Sequence, residues 1–263
     1  MLREHSARPT RLVCLIVLLL TCGIGAAAES PVGDPDPPQV YPCHRAGATI
    51  EIDGLIGEEE WKGAPVLEPF YRLNSPEEAV RGGTARLLWD ADALYLAVDL
   101  VDRDLMAVLE DHDSSTWHDD VVELFVKPLE SSFQYYELHV TPRNTTMDLM
   151  VPRRGAGQWT EFARYESGMV TGVDLRGTLN NRRDEDEGWS VEMKIPFAAF
   201  EVTGGAAPSP GDRWRFAVCR YNYSVHLPAE WERAVENSTT VRDMRDGFHT
   251  YEQYGFLHFV APE

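Results

Sequence analysis

Alternation of apolar and polar residues with a period of two, repeated in short runs along almost the whole chain, is the feature that most constrains this sequence. In "WSVEMKI", Trp189, Val191, Met193 and Ile195 face one way while Ser190, Glu192 and Lys194 face the other. A strand sends successive side chains to opposite faces, so this run reads as half-buried, with one wet face. "TARLLWD", "ALYLAVDLVD", "VVELFVKP", "QYYELHVTP", "TMDLMV", "RWRFAVCRYN" and "YGFLHFV" continue the series, broken by Gly, Pro and Asp turns such as Asp90-Ala91-Asp92. Helical signals are brief, at "GEEEWKGA" and "PFAAF". The pattern predicts an all-β domain, a two-sheet antiparallel β-sandwich of the immunoglobulin-like or jelly-roll kind with short helical turns.

The 263 residues suit one large domain or two small ones, and 43% hydrophobic content supplies a core. The net charge of −19 repels phosphate backbones and anionic lipid, leaving neutral ligands and cations as partners. Residues 1–28 read as an export signal: Arg3, Arg8 and Arg11, the apolar Leu12 to Ile24, then Ala26-Ala27-Ala28 as a cleavage site. The apolar run is short for a membrane span, so the mature form is expected to have none. A rival reading is a lipoprotein signal ending at Cys22, though Thr21 stands where a smaller residue is usual. The expected destination is secreted or periplasmic, with a lipoprotein as the alternative. Residues 29–47 read as a Pro- and Asp-rich flexible leader, and 48–263 as the domain. Cleavage after Ala28 leaves Cys43 and Cys219, which are expected to form one disulfide in an oxidising compartment; the alternative is two buried thiols.

The chemistry concentrates on two strands. In "VVELFV", Glu123 shares a face with Val121 and Phe125; in "QYYELHVT", Tyr135, Glu137, His139 and Thr141 share one. If the strands are neighbours, Glu123, Glu137, His139 and Thr141 come together, with Trp117 at the strand mouth. Carboxylate, imidazole and hydroxyl groups beside an aromatic plate suit a sugar, whose C–H patches stack on rings and whose hydroxyls bond to polar groups. The plain alternative is a solvated sheet face capped by a tryptophan. Two carboxylates on one face also raise a glycosidase reading through Glu123 and Glu137. Asp90, Asp92, Asp102 and Asp104 offer oxygen ligands to calcium, or are turn residues. No H-E-x-x-H or paired-cysteine motif is present and the histidines are scattered, which argues against catalytic zinc. No phosphate-binding glycine loop, dinucleotide fingerprint or G-x-S-x-G is present, so no organic cofactor is expected.

"IEIDGLIGEEEW" (Ile50 to Trp61), "ARLLWDADALYLAVDLVD", "WHDDVVELFVKP", "GWSVEMKIPF" and "YGFLHF" occur in this order. Together they resemble the family 9 carbohydrate-binding modules, a DOMON-like group of β-sandwiches, from about Ala48 to Val260. The resemblance implies a binding protein without its own chemistry. Its ligand would be a mono- or oligosaccharide, taken as a free sugar or a glycan end, with calcium as a frequent structural ion. It also implies two rings around the sugar, at Trp117 and Phe248, with Glu123 accepting hydroxyl hydrogen bonds and His249 adding a donor. The family favours amide, arginine and asparagine where this chain has Glu137, His139 and Thr141, so a different sugar specificity is expected. Members often accompany glycoside hydrolases, which implies a role beside a separate enzyme in carbohydrate breakdown. Some DOMON-like relatives bind haem through axial Met, His or Lys ligands, the alternative expectation; Met106, Met147, Met150, Met193 and Met244 are available, but no C-x-x-C-H is present for covalent attachment.

Overall fold

The computed structural model describes residues 38–57 and 59–261; the export signal, Cys22 and the first part of the leader lie outside them. The described chain is mostly β. Its elements are β1 (Val40–Arg45), β2 (Tyr71–Arg72), β3 (Gly83–Trp89), β4 (Ala93–Val101), β5 (Val121–Lys127), β6 (Tyr135–Val140), β7 (Thr146–Val151), a helical turn α1 (Trp159–Phe162), β8 (Val170–Arg176), β9 (Gly188–Pro196), β10 (Arg213–Tyr223), β11 (Val235–Thr239) and β12 (Gly255–Phe259). They hydrogen-bond in one path, β7-β6-β5-β10-β12-β1-β3-β4-β9-β8, with β11 on the far half of β10 and β2 on β11.

β1 turns the path into a curled sheet. Val40–Cys43 pair with β12, and His44–Arg45 pair with β3, both in parallel. The other ladders are antiparallel. The all-antiparallel expectation is therefore corrected at this one strand, which bridges the two halves of the sheet. β1 also corrects the leader, expected to run to residue 47. Tyr41 and Cys43 alternate inward from Val40 onward. The Tyr41 hydroxyl donates to the Pro65 carbonyl at 2.7 Å and accepts from the Leu87 amide at 2.8 Å. A proline-rich composition had hidden a strand.

Both halves fill one core. Val122, Leu124 and Val126 of β5, Tyr136, Leu138 and Val140 of β6, and Phe216 and Val218 of β10 meet Leu94, Leu96 and Val98 of β4 and Trp189, Val191, Met193 and Ile195 of β9. Phe200, Trp214, Phe259 and Trp89 run through it edge to face, at centroid distances of 4.9 to 5.2 Å. The supposedly wet face of β9 is covered instead. Ser190 and Glu192 are buried, and Glu192 accepts from the Trp61 indole at 2.7 Å and the Gly54 amide at 3.0 Å. A buried carboxylate needs such donors, and residues 53–61 supply them.

Candidate functional site

The outward face of β10, β5, β6 and β7 forms the floor of a cavity of about 610 Å³. Register decides what stands there. Glu123 lies opposite Cys219 on one side and His139 on the other; Phe125 lies opposite Ala217 and Glu137; Glu137 and His139 lie opposite Leu149 and Met147. The period-two alternation that sends Val122, Leu124 and Leu138 to the core therefore sends Glu123, Glu137 and His139 to the cavity.

Three segments wall the cavity. A 3-10 turn at Thr116–His118 holds Trp117, half-buried, at the mouth of β5. The excursion after β7 brings Arg154, Trp159 and Phe162. Trp159 meets Trp117 at right angles, with centroids 5.1 Å apart and planes at 89°. Gly157 shapes this excursion: its φ is +55°, and a Cβ there would come within 2.5 Å of Glu161 Oε2. The third wall is Asp246–His249.

Charge on the floor is arranged around His139. Its Nδ1 lies 3.6 Å from Glu123 Oε1 and 2.9 Å from Thr116 Oγ1, and its Nε2 lies 3.6 Å from Glu137 Oε2. Glu137 Oε1 lies 3.0 Å from His249 Nδ1, which the Tyr135 hydroxyl also approaches at 2.9 Å. Burial pushes the Glu123 carboxyl up to about 7, with His139 opposing and Glu137 adding. Glu137 is buried too, but the hydrogen bonds of His139 and His249 outweigh that and hold it down at about 2. Burial disfavours a charged His139; the two glutamates outweigh it and raise its pKa. Glu137 is thus a fixed anion, while Glu123 keeps proton-accepting capacity for a ligand.

Trp117, Glu123, Glu137, His139, Phe248 and His249 all line this one cavity. Phe248 differs from its expected form: only 3% exposed, it stands edge-on to Tyr221 at 5.4 Å and forms wall rather than a ring open to the cavity. The open rings beside Trp117 are Trp159, Phe162 and Tyr221, which are half-buried. Thr141 lies outside the cavity lining, fully buried in the β6–β7 turn, where its hydroxyl accepts from the Thr145 amide at 3.2 Å. Sequence reasoning missed Trp159, although "GAGQWTEF" carries the same signal as Trp117, a large ring in polar, glycine-rich surroundings.

The four aspartates cannot hold one ion. Nine residues of β4 separate Asp90 and Asp92 from Asp102 and Asp104, about 30 Å of strand. Asp90 Oδ1 caps its own turn, accepting from the Asp92 and Ala93 amides at 2.7 and 2.8 Å. At the other end Asp102 takes Arg220 at 2.8 Å and Asn222 at 3.0 Å. Asp104 Oδ1 and Asn222 Oδ1 stay buried without a hydrogen-bond partner among the described residues.

The expected disulfide is also corrected: Cys43 and Cys219 are free and buried. β12 lies between their strands, which alone separates them by about 10 Å. Cys43 sits level with Phe259, whose amide bonds Asp212, seven residues or about 23 Å along β10 from Cys219. A bridge needs Cα atoms within about 7 Å.

The imidazole of His139 stands between Glu123 and Glu137, in the gap where a glycosidase would place the scissile bond. Of the methionines expected as haem ligands, Met147, Met193 and Met244 are buried in the cores, and none of the five is among the described residues that line the cavity. Among the described residues no helix is long and apolar enough to cross a membrane.

An aromatic-walled cavity on a curled β-sheet, with buried carboxylates and imidazole on its floor, defines a small-ligand-binding domain. Residues 52–226 match the family described as "Carbohydrate family 9 binding domain-like", and the chain belongs to that family, one of binding domains rather than catalysts. No curated protein shows detectable sequence similarity to the chain. Among solved structures, a carbohydrate-binding module family 9 from Caldicellulosiruptor kristjanssonii in complex with cellotriose is similar at 14% identity. It covers 86% of this chain and 95% of its own, with a TM-score of 0.56. The same organism's family 9 module in complex with glucose matches at 14% identity and a TM-score of 0.54, covering 84% and 96%. A putative carbohydrate-binding protein from Bacteroides uniformis matches at 16% identity over 85% of this chain and 100% of its own, with a TM-score of 0.64.

Proposed function

We propose that this chain is an exported sugar-binding protein that takes a sugar ring or glycan end into the cavity beside Trp117, serving a separate glycoside hydrolase in carbohydrate breakdown. One observation carries the reading: two half-buried tryptophans stand at right angles at the mouth of a cavity whose floor holds Glu123. The ring faces take the C–H patches of a sugar, and Glu123, Glu137 and His249 take its hydroxyls. Cellotriose and glucose in the similar structures support the ligand class. The signal-like start supports export. The scaffold that goes with this reading is a two-sheet, DOMON-like sandwich, supported by the one core filled from both halves of the curled sheet. Calcium belongs to the same proposal at the Asp102–Asp104 end, where Asp104 and Asn222 carry the free oxygens; there it would pin the segment leaving β4.

Calorimetry of the mature protein against glucose, xylose, cellobiose, cellotriose and their isomers tests the proposal. Saturable heat with at least one sugar, lost in Trp117→Ala, is expected. Silence across the panel, or unchanged binding in a folded Trp117→Ala protein, overturns it.

A further inference from the structure

Away from the cavity, three residues distant in sequence place ligand atoms within 4.8 Å of one another: His112, Asp148 and Glu166. His112 Nε2 lies 3.7 Å from Asp148 Oδ1 and 3.5 Å from Glu166 Oε2, with Asp113 Oδ1 also at 3.5 Å. The two edges of a tetrahedral zinc site, with metal–ligand bonds of about 2.0–2.1 Å, would span about 3.3 Å. The two spacings to His112 Nε2 need contract only by a few tenths of an ångström, and the Asp148 and Glu166 oxygens lie within 4.8 Å of each other.

Two further features point to a ligand. Asp148 is 2% exposed, and its Oδ1 has no hydrogen-bond partner among the described residues, while Oδ2 accepts from the Ser167 amide at 2.6 Å. An uncompensated buried carboxylate oxygen is costly, and this one is turned towards His112. The other ring nitrogen of His112 is engaged already: Nδ1 lies 3.0 Å from the Thr146 carbonyl and 2.9 Å from Thr146 Oγ1. A carbonyl only accepts, so Nδ1 is the nitrogen that donates there and Nε2 is the one turned to the carboxylates, the orientation that outer hydrogen-bond partners impose on metal-binding histidines.

We infer that His112, Asp148 and Glu166 form a structural site for a divalent transition metal, zinc in the first place. An imidazole among carboxylates suits zinc better than calcium, which takes oxygen donors. The position gives the ion a task. β7 and β8 end the hydrogen-bonded path of the sheet, and at this seam Thr171 Oγ1 of β8 donates to Asn144 Oδ1, in the turn before β7, at 2.7 Å. Asp148 lies on β7 and Glu166 just before β8, so the ion would clip this seam. It would also tie together the two ends of the excursion that carries Trp159 and Phe162.

The test is zinc titration of the metal-stripped mature protein by calorimetry, with thermal melts alongside. His112→Gln and Glu166→Gln alter exposed side chains and keep the fold; Asp148→Asn removes the buried ligand. One zinc per chain is expected, with a melting temperature raised by about 5 °C or more at saturation. His112→Gln and Glu166→Gln should each weaken binding at least tenfold with unchanged metal-free melting, Asp104→Asn should not weaken it, and excess calcium should not displace the zinc. Absence of zinc uptake, or uptake unchanged in both His112→Gln and Glu166→Gln, overturns the site. Displacement by calcium at equal concentration overturns the choice of metal.

Discussion

Trp117 and Trp159 stand edge to face, 5.1 Å between centroids, though one comes from a turn before β5 and the other from a turn after β7. Each holds the other's orientation, so the pair presents a fixed corner. Trp117→Ala and Trp159→Ala should each weaken sugar binding by about 1–3 kcal/mol, roughly five- to 150-fold. Both rings are half-buried at the rim, so melting temperatures should fall by only a few degrees. Calorimetry and melts on both variants check this. Loss of binding in one variant alone would mean that the corner does not act as a unit.

The cysteines give a prediction that separates geometry from compartment. Protein cleaved after Ala28 should show two thiols to Ellman's reagent in denaturant and almost none when native. Burial drives both thiols far up in pKa, away from the reactive thiolate. A Cys43–Cys219 disulfide peptide in a non-reducing digest would contradict the strand order itself, since β12 lies between them.

Calcium should raise the melting temperature over that in chelator, and the difference should vanish in Asp104→Asn but persist in Asp90→Asn. The contrast follows from what each carboxylate already does: Asp90 Oδ1 is spent on its turn, whereas Asp104 Oδ1 is buried without a partner. Equal calcium effects in both variants would place any ion elsewhere. Separately, Arg220→Met should destabilise by about 3–5 kcal/mol, because it strands Asp102 as an unpaired buried charge.

The floor of the site was legible because alternation leaves no choice. Once Val122 and Leu138 enter the core, Glu123 and His139 must face away, and the β5–β6 register sets them side by side. What failed was information that only the third dimension holds. β8 escaped notice because Gly172 interrupts "VTGVDLR"; a Cβ there would lie 2.7 Å from the backbone of Asp53 and Gly54, so the glycine serves the covering segment rather than breaking the strand. The same covering made the polar face of β9 look wet. Phe248 came from the family resemblance, which cannot show that Phe125 and Tyr221 would enclose it. His112, Asp148 and Glu166 are far enough apart in sequence that no motif joins them.

The floor charges predict opposite pH trends for stability and binding. Glu123 titrates near 7 in the fold against an ordinary 4.5, so the folded state holds a proton that the unfolded chain has lost. Its contribution therefore falls as pH rises from about 4.5 to 7. His139, raised above 6.5, contributes fully below that value and loses its contribution as pH rises through its folded pKa. Glu137, lowered to about 2, contributes above 4.5 and loses it as pH falls towards 2. Together these place the cluster's best stability near pH 5, with a decline towards pH 8. Sugar affinity should run the other way above pH 6, because ionised Glu123 is the stronger acceptor for hydroxyls. Glu123→Gln should flatten the stability decline between pH 5 and 7, melt no lower than the parent at pH 8, and bind sugar at least tenfold more weakly with little pH dependence. Melts and calorimetry from pH 5 to 8 on both proteins decide it. A Glu123→Gln protein with the parent's pH profile in both measurements would show that Glu123 neither holds the proton nor meets the sugar.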